Sequence, residues 1–376
     1  MVIGNPPYGA DLSQEERNHL NKRYSLGNSD TAALFSIFAL TILRRGGLLG
    51  FILPKGLTYA SNWEITREKL LNHLVSLVDC SKVWTEVKLE MSIIILCKDL
   101  NLESFSSFIR TGSNIIEVGI INKETSKKFN FFLNGVSNRE LLIGEKLRTQ
   151  KLRLNDFLSN RRGGMLQKFI DSNGEIFALG GKEVQRYGGM LNSTKKLNKT
   201  NIDEVAKISR DSILVQNIVA HICNPVPHVK IIATSSCSFN PDECVLLDTV
   251  NQLVNKSDFD TKVFLAIVNS KLISWYVYRF VFANAIRTMH FDSTTTNKIP
   301  FPDLNQQNKF TKANSNKLVS LVDHLLQLNK EKQTTSLQTK LDQIQSKIDY
   351  CEDKINKIVY ELYGLTEEEI KIVEGE

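Results

Sequence analysis

Residues 2–9, Val2-Ile3-Gly4-Asn5-Pro6-Pro7-Tyr8-Gly9, run from a short apolar strand into a turn built of one amide, two prolines and an aromatic ring. The residue types suit a flat heterocycle that carries an exocyclic amino group, such as a flipped-out adenine. The Asn5 side-chain oxygen can accept one amino hydrogen and the backbone carbonyl of Pro6 the other, which draws the nitrogen lone pair out of the ring. Two consecutive prolines fix φ near −65°, so both acceptors are in place before a base arrives. Tyr8 offers a ring face for stacking, and no covalent nucleophile is needed. The same four residues also make an ordinary turn after a strand.

Outward from this turn the chain alternates strand and helix. Val2 to Gly4, Leu48 to Leu53, Val75 to Val78 and Ser92 to Leu96 read as strands, and Thr31 to Arg44 and Trp63 to Leu74 as helices. The pattern predicts half of a doubly wound α/β sheet over residues 1–100. Asn5 to Tyr8 then lie just past the carboxyl end of a strand, where ligands bind in such sheets.

These blocks resemble the Taq-like and type IIG restriction-modification enzymes, which are adenine-specific DNA methyltransferases. The resemblance rests on Asn5-Pro6-Pro7-Tyr8, Asp30-Thr31-Ala32-Ala33-Leu34-Phe35, Gly46 to Pro54, Val83-Trp84 and Met91 to Leu96. It implies transfer of a methyl group from S-adenosyl-L-methionine to an adenine flipped out of double-stranded DNA. Asn5, Pro6, Pro7 and Tyr8 would then be catalytic, with Tyr8 and Trp84 stacking on the base; an indole at 84 that simply packs the core is the alternative. The glycine-rich turn and the acidic residue that hold the cofactor in the resembling enzymes are expected upstream of Met1. Gly46-Gly47 and Gly163-Gly164 do not have the context to replace them. The expectation is weak or no cofactor binding by this chain alone, an exposed first strand, and a partner that is an upstream methyltransferase half or a nuclease subunit.

Residues 101–150 read as a connector of short strands followed by a charged helix from Arg139 to Leu147. Residues 151–304 resemble the target recognition domains of the same enzymes, through Phe157 to Gly164, Gly181 to Tyr187, Ile213 to Gln216, Phe264 to Lys271 and Lys298-Ile299-Pro300-Phe301-Pro302. The last pattern also occurs in type I specificity subunits. The fold expected there is mixed α+β, with Arg161, Arg162, Lys182, Gln185, Arg186 and Arg287 near DNA. Such side chains can pair with base edges, but most touch phosphates. Over residues 151–210 there are 12 Lys or Arg against 6 Asp or Glu, a surplus of +6, whereas residues 331–376 carry 6 against 11, giving −5. A basic middle suits phosphate contact, although it is also what a solvated surface looks like.

Residues 305–376 read as a helical hairpin. Leu337, Leu341, Ile344, Ile348, Cys351, Ile355, Ile358 and Leu362 form a heptad seam, and Leu318, Leu321, Leu325 and Leu328 a second stripe to pack against it. Gly364 is expected to end the long helix, and Thr366 with Glu369 to open a last one as a capping box. The seam reads as structural, with self-association as the alternative. The six cysteines contain no C-x-x-C pair and read as reduced thiols, without a metal site. No apolar run approaches the ~18 residues of a membrane span, and a cytoplasmic location is expected.

Two functions from different classes follow. One is the base-pocket and DNA-reading part of an adenine-N6 methyltransferase. The other is a non-catalytic DNA-specificity module or truncated remnant. Replacement of Asn5 separates them.

Overall fold

A computed structural model describes residues 1–26, 30–84, 89–198, 202–222, 227–286, 289–304 and 308–375. The chain divides into two compact units, residues 1–144 with 278–286, and residues 145–277 with 287–376.

In the first unit β1 (Val2–Gly4) is followed by α1 (Gln14–Tyr24), α2 (Thr31–Ile42), β2 (Leu48–Pro54), α3 (Glu64–Leu71), β3 (Leu74–Lys82) and β4 (Glu90–Cys97). Helix α1 buries no residue and has no apolar periodicity to announce it. Its one sequence signal is the capping box of Ser13 and Glu16, in which Ser13 N–H donates to Glu16 Oε2 at 2.8 Å. Helix α2 begins where Asp30 caps Ala32 N–H at 2.9 Å. It ends at Ile42, two residues short of the expected Arg44, because Leu43 is already extended.

The strands form one sheet in the order β1-β2-β4-β3-β5-β6, with β5 (Ser104–Thr111) and β6 (Asn114–Asn122) added beyond β3. β1 pairs with β2 in parallel and β3 with β5 in parallel, while β4 is inserted antiparallel between β2 and β3. The expected boundary at residue 100 is therefore corrected. The segment read as a connector supplies two strands of the same sheet, because Phe105 and Ile121 are buried core residues. After a short helix at Lys123–Phe129 comes the expected charged helix, α4 (Asn138–Arg148).

The second unit is mixed. A four-stranded antiparallel sheet contains β7 (Leu158–Arg162), β8 (Ser212–Gln216), β9 (Ala233–Ser235) and β10 (Val250–Asn255) in the order β9-β8-β10-β7. Helix α5 (Thr261–Asn269) is buried along almost its whole length. Helices α6 (Lys309–Thr334) and α7 (Gln338–Leu362) form the expected hairpin, and Ile344, Ile348, Cys351, Ile355 and Ile358 of the seam are buried. Leu341 and Leu362 are half-buried, and Leu337 is exposed just before α7. In the other stripe Val322 is buried with Leu318, Leu325 and Leu328 rather than Leu321. Gly364 adopts φ +68, and the Thr366–Glu369 capping box is formed. The hairpin falls in the same compact unit as the segment before it, so residue 304 is not a boundary between bodies. Among the described residues no helix is long and apolar enough to cross a membrane.

Candidate functional site

The carboxyl end of β1 delivers Asn5, which is exposed, and buried Pro6. The turn is pinned to the next helix by Thr31, whose hydroxyl donates to the Pro7 carbonyl at 2.7 Å. This gives Asp30-Thr31 a physical role: the first caps α2 and the second ties that cap to the motif.

Tyr8 and Trp84 come from opposite ends of the first 84 residues, yet both pack against the buried cluster of Val78, Cys80 and Met91, together with Val83 and Phe108. Both rings are half-buried. Two aromatic side chains on one apolar cluster, beside an exposed amide, make an arrangement that could pack against a planar ring.

The residues that sequence reading missed are charged. Lys55 follows β2, Asp79 lies near the end of β3 and Glu90 opens β4, so the strand directions bring all three to the edge that carries Asn5 to Tyr8. Lys55 Nζ donates to Asp79 Oδ2 at 2.7 Å and to the Asn284 carbonyl at 3.0 Å, with Glu90 Oε1 at 3.6 Å. Glu90 Oε2 accepts the Ile286 N–H at 2.8 Å. All three are buried. Burial pushes the Glu90 carboxyl above its ordinary range against the opposing pull of Lys55. Burial, with the neighbouring Glu90 carboxylate, raises the Tyr59 hydroxyl to about 12. The available signal was a charged residue directly abutting an apolar strand: Pro54-Lys55, Val78-Asp79 and Glu90-Met91.

In the second unit the expected DNA-facing residues separate into different settings. Arg161 is exposed on β7, an edge strand. Arg162 is tied to Asp248, with Nη2 donating to Oδ2 at 2.9 Å. Lys182 is exposed and lines a cleft of about 460 Å³ with Gln167, Lys195, Gln216 and Thr249. Its loop is fixed by Gln216, whose amide donates to the Gly181 carbonyl at 2.7 Å, and by Glu183, which accepts the Gly180 N–H at 2.9 Å. Gln185 is exposed. Arg186 departs from the expectation: its guanidinium binds Glu352 of α7 and the Ile231 carbonyl, and the side chain is only 14% exposed. Those bonds tie it to α7. Arg287, like Cys223, lies outside the described residues.

Comparison with known proteins gives a family match in the first unit and a likeness of fold. Residues 1–84 match the Eco57I restriction-modification methylase family. Over 135 residues the chain is 29% identical to the type II methyltransferase M.VspI of Vibrio sp. (strain 343), a stretch covering 35% of this chain and 33% of that protein. The chain therefore spans about a third of the length of that relative. The solved structure of the type IIL restriction-modification enzyme MmeI in complex with DNA superimposes with a TM-score of 0.61 at 10% identity, over 100% of this chain and 56% of MmeI, which is a likeness of fold. Residues 1–84 are thus similar to a restriction-modification methylase, and over the whole chain the likeness is one of fold.

Proposed function

We propose that the first unit carries the base pocket of an adenine-N6 DNA methyltransferase and that the second reads the DNA sequence. The observation that carries this reading is the convergence of Tyr8 and Trp84 on one apolar cluster beside the Asn5-Pro6 acceptors. Asn5 Oδ1 and the Pro6 carbonyl accept the two amino hydrogens of the flipped adenine, while Tyr8 and Trp84 hold its faces and exclude water. Arg161, Arg162, Lys182 and Gln185 are exposed, and in this reading they contact DNA. Arg287 is assigned the same role on its sequence context alone.

S-adenosyl-L-methionine is the methyl donor in this reading. Gly46-Gly47 precede β2 and Gly163-Gly164 follow β7, and among the described residues neither pair joins a strand to a helix with an acidic residue beyond.

The test is to express the gene with its upstream genomic context in cells lacking adenine methylation and to map N6-methyladenine. Site-specific methylation that Asn5→Ala abolishes, with DNA binding retained, is the expected result. DNA binding without methylation in any such context would leave the DNA-specificity module as the better reading.

A further inference from the structure

Strand β3 does not end regularly. Asp79 pairs with Ser92 and Ser81 with Met91, so Cys80 is an inserted residue, a β-bulge, and Ser81 sits at φ +49. A side chain at that φ is uncommon and needs local support. Asp79 provides it, because its Oδ1 accepts the Ser81 N–H at 2.9 Å. The other oxygen of the same carboxylate is held by Lys55 at 2.7 Å.

A bulge adds one residue and bends the strand, so it re-aims the chain that follows. Val78 and Cys80 belong to the cluster against which Tyr8 packs, and the strand ends two residues after Cys80, at Lys82. Lys82 is exposed, and Val83 and Trp84, just beyond the strand, both pack against the cluster. We infer that Asp79, clamped by Lys55, is a positioning residue: through the bulge at Cys80-Ser81 it sets the placement of the Trp84 ring. This inference rests on the proposed base pocket for its functional meaning, but the geometry it asserts can be tested without DNA.

Of the three tryptophans, Trp63 and Trp275 are each 4% exposed while Trp84 is half-buried, so acrylamide quenching of fluorescence reports mainly on Trp84. Asp79→Asn weakens both carboxylate contacts and is expected to raise quenching in the full chain. Ser81→Val leaves the buried charges untouched but opposes the positive φ, and should raise it likewise. Ser81→Gly, which accepts that φ freely, should leave it unchanged. If Asp79→Asn fails to fold, the two Ser81 variants decide. Quenching unchanged in a folded Ser81→Val protein, or changed equally by Ser81→Gly, would overturn the inference.

A second readout separates this inference from the functional reading. If both hold, Ser81→Val weakens binding to a duplex with an extrahelical adenine by about tenfold, the scale of one lost stacking contact, and adds nothing in a Trp84→Ala background. A quenching change with no affinity of the unaltered chain for that duplex supports the positioning role and removes the base pocket.

Discussion

Lys55 in the first unit and Arg162 in the second both pair with an aspartate at under 3 Å, yet the lysine side chain is 2% exposed and the arginine 55%. The lysine closes a buried trio in which two carboxylates and the Asn284 carbonyl depend on it. The arginine lies in water, which can replace most of what Asp248 gives it. Arg186 is intermediate, at 14% exposure against 20% for Glu352. Similar pair geometry therefore carries different energetic weight, because desolvation fixes the cost of leaving one partner alone.

The comparison is broken most directly by Lys55→Met. It leaves two buried carboxylates uncompensated and should cost about 3–5 kcal/mol, read as a lower denaturant midpoint. A loss under about 1 kcal/mol would mean that water reaches the trio. Arg186→Ala, which strands Glu352, is expected to cost about 1–3 kcal/mol and to loosen hydrogen-exchange protection in α7.

Glu90→Gln sharpens the comparison through pH. The Glu90 carboxyl is raised above its ordinary 4.5 by burial. A carboxyl raised on folding contributes stability that is complete below pH 4.5 and is lost as pH rises through the folded value. The variant should therefore lose less stability than the parent between pH 4.5 and neutrality, measured by urea midpoints across that range. Parallel curves would place the raised titration elsewhere. Arg162→Ala should change stability least, by at most about 1 kcal/mol. Its effect should appear in DNA affinity and its salt dependence.

Most elements were legible because apolar periodicity records which faces are covered. Strands β1 to β4, helix α2 and the α6–α7 seam could be read in this way. Helix α1 could not, since none of its residues is buried and only its cap distinguishes it from a loop. Strands β5 and β6 were recognisable as strands but not as part of the first sheet, because pairing between β3 and β5 is a contact across sequence. Arg186 shows the same limit: an exposed cation and one tied to α7 have the same letter.

The sequence by itself determined the motif, its place after a strand, and the positions of helix caps and seam, all of which depend on residues close along the chain. Only the tertiary structure decided that Lys55, Asp79 and Glu90 share one buried edge, that Tyr8 and Trp84 rest on one cluster, and that a bulge at Cys80-Ser81 turns the strand between them. Those facts depend on strand order and register, which bring together groups that no local pattern relates.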